Sequence, residues 1–355
     1  MGVGKEARLY QPLPHGRVRC TACARYCNIG TGQVGFCGIR SNESGKLQLS
    51  VYGKIIAGHI DPIEKKPVTH YMPGSKIFSI ATTGCSWACQ YCQNWDISQR
   101  RKVEGLDATP ESVVSMTRRY RCEGLAYTYN EPSIFIEFAH DIGVQARKAG
   151  LMNIFVSNGY DTPETVGEMK DFLDCITVDF KGSGETGFVR KYITIANADP
   201  IFQTLLELRD KTNVHIEITD LIVPEVGDDL GAAKKLSSWI YDNLGPDTPI
   251  HFLRFHPDYK MNNLEATPIQ TLEKHHKIAK EVGLNYVYIG NVPGHPLEHT
   301  YCPECGAIAV ERMGFDITAW NLDARNCCKS CGGEISIVGK LSESVNEDRF
   351  VPVIM

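Results

Sequence analysis

The feature that most constrains the fold is an alternation of short β-rich runs with amphipathic stretches from about residue 76 onward. Parallel strands joined by crossover helices produce this pattern in a sequence. Helices are predicted between the runs, for example over 133–149 and 201–211, where apolar residues recur every three or four positions. The predicted strands are 77–82, 124–128, 153–157, 175–180, 214–223, 250–255 and 286–289.

Six or seven such β/α units predict an α/β fold, with a partial (β/α)6 or near-full TIM-type barrel. An open doubly wound sheet is the alternative. In either architecture, chemistry is expected at the carboxyl ends of the strands. The predicted organisation is a Cys-rich N-terminal extension over 1–75, a barrel over 76–295 and a zinc-ribbon-like C-terminal segment over 296–355.

Composition narrows the class of protein. A chain of 355 residues that is 43% apolar can bury a full core, which excludes a disordered or fibrous protein. The formal net charge of −5 disfavours generic nucleic-acid binding. Neither a run of about 20 apolar residues nor an apolar secretory signal is apparent, so a cytoplasmic protein without a membrane span is expected.

Twelve of the fourteen cysteines fall into three groups. In a chain of this size and expected compartment, grouped cysteines indicate metal sites rather than disulfides. Cys122 and Cys175 stand alone and are predicted to be buried packing residues. The groups are Cys20, Cys23, Cys27 and Cys37; Cys85, Cys89 and Cys92; and Cys302, Cys305, Cys327, Cys328 and Cys331.

The central group directly follows the first predicted strand, in the segment SIATTGCSWACQYCQNW, with the spacing C-x3-C-x2-C. Soft thiolates suit an iron–sulfur cluster, and three of them leave one iron open to another ligand. A structural zinc would normally have four protein ligands. The spacing therefore favours a catalytic 4Fe-4S cluster on Cys85, Cys89 and Cys92.

The two flanking groups each offer four thiolates, and zinc or an auxiliary iron–sulfur cluster fits either. Cys20, Cys23, Cys27 and Cys37 have the spacing C-x2-C-x3-C-x9-C. The C-terminal group forms two C-x2-C knuckles typical of a zinc ribbon, with Cys327 as a spare ligand. The knuckle cysteines are Cys302, Cys305, Cys328 and Cys331.

Together with the segments after the next three strands, the central group resembles the radical S-adenosylmethionine (SAM) superfamily. The resemblance implies that Tyr91, before the last cysteine, is the motif aromatic residue, and that the following strand ends bind SAM. One departure is Val156, where the superfamily has an acidic residue. The implied SAM-binding residues are Tyr91, Asn130, Glu131, Ser157, Asn158, Asp179 and Lys181.

Two further segments, IEITDLIVPEVGDD and FLRFHPDYKM, resemble the pyruvate formate-lyase-activating enzyme. This resemblance implies His256 as a catalytic candidate, and the likeness of Asp179–Lys181 to the Asp-x-Lys segment of the superfamily implies Lys181 as another. The N-terminal cysteines followed by GFCGIR, together with the C-terminal knuckles, resemble the radical SAM component of the AmmeMemoRadiSam system. That resemblance implies a Memo-like or AMMECR-type protein as partner, while the radical SAM resemblance implies a reduced flavodoxin or ferredoxin as electron donor.

The function implied by these resemblances is reductive cleavage of SAM to a 5′-deoxyadenosyl radical, which abstracts hydrogen from an unidentified substrate. One alternative is an activase of a glycyl-radical enzyme. Another is a non-catalytic metal-bound module that binds RNA or protein. The acidic charge balance and the run of SAM-like strand ends weigh against this module.

Overall fold

The computed structural model describes residues 4–353 and contains one nine-stranded sheet with four smaller sheets. The strands are β1 (Lys5–Glu6), β2 (Tyr10–Pro12), β3 (Val18–Cys20), β4 (Asn28–Ile29), β5 (Arg40–Glu43), β6 (Lys46–Leu49), β7 (Lys54–Ile55), β8 (Ala57–Pro62), β9 (Lys76–Ala81), β10 (Leu106–Asp107), β11 (Gly124–Tyr127), β12 (Met152–Ser157), β13 (Cys175–Lys181), β14 (His215–Ile222), β15 (Ile250–Arg254), β16 (Val287–Gly290), β17 (Thr300–Tyr301), β18 (Ile308–Met313), β19 (Asp316–Trp320) and β20 (Val351–Pro352).

Most of the longer helices connect strands of the main sheet. The α-helices are α1 (Trp95–Ser98), α2 (Pro110–Arg119), α3 (Ile136–Lys148), α4 (Pro163–Met169), α5 (Thr186–Phe188), α6 (Asp199–Lys211), α7 (Leu230–Leu244) and α8 (Ile269–Val282). Short 3₁₀ turns cover Pro14–Gly16, Ile63–Lys65, Pro132–Phe135, Gly182–Gly184, Pro296–Glu298 and Glu343–Asn346, and a π turn covers Val189–Ile193. Among residues 4–353, no helix combines the length and apolarity that a membrane crossing requires.

The main sheet has the order β16-β15-β14-β13-β12-β11-β9-β8-β20. All neighbours from β9 to β16 are parallel, whereas β8 and β20 pair antiparallel. Because the parallel strands follow chain order without reversal, right-handed crossovers put their helices on one face. A doubly wound sheet would reverse its strand order. Within 4–353 the edge strands β16 and β20 do not pair, so the fold is a partial rather than a closed barrel.

The strand predictions are confirmed, since each predicted end lies within one residue of the observed end. The predicted helix over 133–149 is a 3₁₀ turn followed by α3, and α6 begins two residues before its predicted start. The structure adds two strands to the main sheet that the sequence did not reveal. They are β8 and β20, from the predicted N- and C-terminal segments, while the three-part division itself stays a prediction.

The main sheet has two different faces because successive side chains on a strand point in opposite directions. Phe78 and Phe155 lie in the large apolar core that includes helix residues such as Phe138. Ile77 and Ile154 lie in a second, smaller cluster on the other face. Only part of that inner face is apolar, and its polar part, nearer the carboxyl ends of the strands, carries the candidate site.

Candidate active site

Three turns place the predicted site residues at one edge of the main sheet. The loop with Cys85 follows β9, the segment with Asn130 follows β11, and Asn158 follows β12. These three strands are adjacent and parallel, so their carboxyl ends lie side by side. The structure therefore brings together residues that lie up to 73 positions apart between Cys85 and Asn158.

The cysteine loop is held by backbone hydrogen bonds to the turn after α5. The Ala88 and Gln90 amides donate to the carbonyl oxygens of Ile193 and Tyr192, at 3.1 and 2.9 Å. Burial, with Cys92 nearby, raises the pKa of Cys89 to about 12. Three thiolates in such a place need a strong positive partner, and a bound iron cluster provides one. The donor set thus fits the cluster that its spacing predicts.

Two asparagines predicted to bind SAM brace this loop. Asn130 Nδ2 donates to the Gly84 carbonyl oxygen at 2.9 Å and to Thr82 Oγ1 at 3.2 Å. Asn158 Nδ2 donates to Ser86 Oγ at 3.0 Å. Each asparagine thus ties the end of a neighbouring strand to the residues around Cys85. Their roles in SAM binding stay predictions.

The Glu131 carboxylate is buried and accepts four hydrogen bonds from its own chain. Oε1 accepts from the Ser133 amide, the Ser133 hydroxyl and Ser157 Oγ, at 3.1, 2.8 and 2.8 Å. Among the described residues, Oε2 accepts only from the Asn158 amide, at 2.7 Å. A carboxylate offers about four lone pairs, two on each oxygen, so Oε2 can accept one more donor. An ammonium group fits that requirement, although a SAM contact of Glu131 stays a prediction.

Asp161, which the sequence analysis missed, lies beside Glu131. Its side chain is buried, and neither carboxylate oxygen has a hydrogen-bond partner among the described residues. Burial and the neighbouring Glu131 raise the pKa of Asp161 well above its ordinary value. Both effects favour the protonated form of the Asp161 carboxyl group over the ionised form.

Asp179 and Lys181 form an ion pair at the end of β13, with Lys181 Nζ 3.0 Å from Asp179 Oδ2. They are alternate residues of one strand and therefore share the inner face. Asp179 also accepts a hydrogen bond from the Thr219 hydroxyl of β14. Burial alone would lower the pKa of Lys181, but Asp179 and the nearby Cys89 hold it above its ordinary value. Lys181 is therefore a cation beside the cysteine loop.

Tyr91 and His256 occupy opposite kinds of environment. Tyr91 is buried between the rings of Phe188 and Phe255, with ring centroids 6.0 and 6.3 Å away. The side chain of His256 is 70% exposed, and its Nδ1 lies 3.0 Å from Asp258 Oδ2. Among residues 4–353 no hydrogen bond or ion pair joins His256 to another predicted site residue. Its catalytic role stays a prediction.

A second charged group on the inner face was also missed. Asp61, on β8, pairs with the buried Lys66 at 2.7 Å and accepts a hydrogen bond from the Tyr129 hydroxyl at 2.5 Å. Burial lowers the pKa of Lys66 to about 8, although Asp61 opposes the shift. The sequence offers little signal for this group, because β8 lies in an irregular segment and Tyr129 is 68 residues from Asp61.

The C-terminal knuckles form a compact four-sulfur site. Cys302 and Cys331 have their Sγ atoms 3.6 Å apart, and Cys305 and Cys328 have theirs 3.8 Å apart. One ion with four thiolates at about 2.3 Å separates them by about 3.8 Å. All four sulfur atoms lie within 4.8 Å of one another, so this group could hold a metal ion. Cys327 is not part of it.

The N-terminal cysteines are arranged differently. Cys20, Cys23, Cys27 and Cys37 line one common cavity, together with Ser86 of the central loop. Their sulfur atoms do not meet the 4.8 Å limit that the C-terminal group meets. The two lone cysteines are confirmed as packing residues, since Cys122 and Cys175 are buried.

Comparisons with known proteins agree with this geometry. Residues 79–233 match the family described as the Radical SAM superfamily. The chain is 42% identical over 337 residues to the uncharacterized protein MJ0808 of Methanocaldococcus jannaschii. The aligned region covers 94% of this chain and 99% of the relative.

Two solved structures are more distant. A domain of a pyruvate-formate lyase-activating enzyme from Bacteroides vulgatus is 18% identical, with a TM-score of 0.41, and covers 47% of this chain and 99% of the other. A radical SAM methyltransferase from Sphaerobacter thermophilus is 11% identical, with a TM-score of 0.48, and covers 62% of this chain and 67% of the other.

Proposed function

Because this chain belongs to the radical SAM superfamily, we propose that it cleaves SAM to a 5′-deoxyadenosyl radical that abstracts hydrogen from a substrate. The observation that carries the proposal is the bracing of the cysteine loop by Asn130 and Asn158. A loop with three partly buried thiolates is thereby built into one unit with the next two strand ends. A metal site that only stabilises the fold does not require hydrogen bonds between the cysteine loop and these strand ends.

When bound at Cys85, Cys89 and Cys92, a 4Fe-4S cluster with an open iron supplies the reducing electron and a place for SAM to bind. The protein's own residues position and protect that chemistry. Asn130 and Asn158 fix the loop, while the cationic Lys181 offsets negative charge near Cys89. Buried aromatic side chains around Tyr91 keep water away from this side of the site.

The test is single-turnover SAM cleavage by the anaerobically reconstituted full chain, reduced with dithionite. We expect 5′-deoxyadenosine and methionine in equal amounts, measured by mass spectrometry. Cys85→Ala should reduce both to background, whereas Cys122→Ala removes a buried cysteine outside the site and should retain cleavage. Equal product from wild type and Cys85→Ala would contradict the proposal and favour a binding module.

The remaining assignments form part of the same proposal. Zinc is the metal we propose for the C-terminal knuckles, because their sulfur spacing suits a single tetrahedral ion. We propose a reduced flavodoxin or ferredoxin as electron donor and a Memo-like or AMMECR-type protein as partner. A reducing cytoplasm suits the fourteen cysteines, none of which forms a disulfide in the described part of the chain.

A further inference from the structure

The N-terminal cysteine group lies directly against the loop that carries Cys85. We infer that Cys20, Cys23, Cys27 and Cys37 hold a second iron–sulfur cluster, which passes single electrons to the Cys85 group. The electron-transfer role rests on the proposed function, whereas the identity of the metal does not. Sulfur spacing, the lining of the cavity and contact with the central loop support this second cluster.

Sulfur spacing separates the two flanking groups. The C-terminal thiols lie within 4.8 Å of one another, as four ligands of one ion must. No set of three among the four N-terminal thiols meets this limit, and neither do Cys85, Cys89 and Cys92. Thiolates bound to different irons of one cluster lie farther apart than thiolates around a single ion. The N-terminal group thus lacks the close sulfur spacing of the zinc-like site, and so does the central group.

The cavity between these thiols has the lining that a cluster needs. It is lined by all four cysteines together with the apolar side chains of Ile29, Phe36 and Ile134. Cys20, Cys23 and Cys37 are buried, while Cys27 is only partly buried. The Cys27 side is the outer side of the cavity and the natural point of electron entry.

Backbone contact joins the cavity to the central loop. Gly84 precedes Cys85 with φ near +89°, and a Cβ atom there would lie 2.4 Å from the Cys37 carbonyl oxygen. Ser86, on the other side of Cys85, lines the cavity itself. No intervening residue therefore separates the two cysteine groups at this point.

Arg25 fills the remaining junction between the groups. Its guanidinium lies 3.6 Å from the centre of the Phe36 ring, and it donates hydrogen bonds to the carbonyl oxygens of Ser86 and Thr194. A partly buried cation at this position stabilises the added negative charge whenever a neighbouring thiolate cluster is reduced. The loop with Arg25 is fixed in turn, because Thr162 Oγ1 donates to the Thr21 carbonyl oxygen at 2.6 Å.

Four thiolates leave no iron of the second cluster open, so its chemistry is one-electron transfer rather than SAM binding. A reduced flavodoxin or ferredoxin-type protein supplies one electron, and the same electron leaves for the Cys85 group. No bond forms or breaks in this step. The second cluster returns to its oxidised state after each transfer.

The first test counts metals in the anaerobically reconstituted full chain. We expect about eight irons and one zinc per chain, and about four irons in the triple variant Cys85→Ala, Cys89→Ala, Cys92→Ala. In that variant the reduced cluster should give an electron paramagnetic resonance signal that SAM does not change. Four irons in the wild type, with either one or two zincs, would overturn the inference without touching the proposed function.

The second test addresses electron transfer with the double variant Cys20→Ser, Cys27→Ser. We measure 5′-deoxyadenosine formation with reduced flavodoxin and with dithionite, and take the ratio of the two rates. The ratio should fall at least tenfold relative to wild type, because dithionite reaches the central cluster directly. An unchanged ratio would overturn the relay. Failure of both reductants in the wild type would instead defeat the proposed function.

Discussion

At the scale of single residues, Glu217 carries a fully buried carboxylate on the inner face of the sheet. It ties β14 to the segment before β9 and to β15. Although burial would raise its pKa, the hydrogen bonds from His215 and His251 hold it well below the ordinary value. The donors are the Thr69 amide and hydroxyl, the His70 amide, His215 Nε2 and His251 Nε2, at distances of 2.8 to 3.2 Å.

Glu217→Gln should lower the free energy of unfolding by about 3 kcal/mol. The NH2 group of the glutamine would face buried N–H and O–H groups that now donate to the carboxylate, and two donors cannot form a hydrogen bond. A carboxyl group with a depressed pKa stabilises the fold above its unfolded pKa, and this stabilisation is lost as the pH falls through the folded value. The difference from wild type should therefore shrink between pH 5 and pH 3, measured by urea unfolding. A constant difference would show that Glu217 does not act through its charge.

Single residues also show how far sequence reasoning extends. The cysteines and the polar strand ends were predictable because their spacing is local and their chemistry is specific. The buried charges of Glu217 and Lys66 were not predictable, because the roles of these residues depend on their partners in the folded chain. Thr69, which donates to Glu217, is 148 residues away from it in the sequence. A buried charge has no local signature, so only the folded chain reveals which donors surround it.

At the scale of elements, two helix glycines should respond in opposite directions to the same substitution. Gly143 lies in α3, where a Cβ atom would lie 2.1 Å from the Phe172 ring, whereas Gly167 in α4 has open space. Alanine in a helix is better than glycine by about 1 kcal/mol. Gly167→Ala should therefore stabilise by up to that amount, while Gly143→Ala should destabilise by about 1–3 kcal/mol through overpacking. Thermal unfolding of both variants measures this, and the same sign in both would contradict the packing described for α3.

Elements differ in how well the sequence predicts them. The seven parallel strands are apolar runs that begin and end at turn residues, so their bounds were predicted to within one residue. The antiparallel β8 and the two-residue β20 carry no such pattern. They form strands because β8 pairs with the exposed edge of β9, and β20 pairs with the exposed edge of β8.

At the scale of the whole molecule, the C-terminal cysteine group is part of a separate small core. Cys302 and Cys328 pack in a cluster with Tyr286 and Tyr288, which belong to the region of β16. Cys302→Ser should release one metal per chain and speed hydrogen exchange over 300–337, because metal binding contributes on the order of 10 kcal/mol to folding such a segment. Cys327→Ser is the matched control and should keep the metal. If the Cys327→Ser control lost the metal instead, the ligand set proposed here would be wrong.

A buried ion pair ties the C-terminal segment of the described chain to the turn that follows β8. Arg349 Nη1 lies 2.9 Å from Glu64 Oε2, with both side chains 2% exposed, and β20 pairs with β8 close by. Arg349→Met should lower the free energy of unfolding by about 3 kcal/mol, since it leaves a buried carboxylate without its cation. Burial raises the pKa of Glu64 even with Arg349 present, and removing the cation raises it further.

A carboxyl group whose pKa is raised in the folded state destabilises the fold as the pH rises. The loss of unfolding free energy in Arg349→Met, relative to wild type, should therefore be larger at pH 7.5 than at pH 4.5. Urea unfolding at the two pH values measures it. Adding Glu64→Gln removes the charge that the arginine neutralises, so the double variant should recover part of the loss at pH 7.5. If the double variant is less stable than Arg349→Met at both pH values, the pair acts through packing, and β20 is held by its strand pairing with β8 rather than by charge.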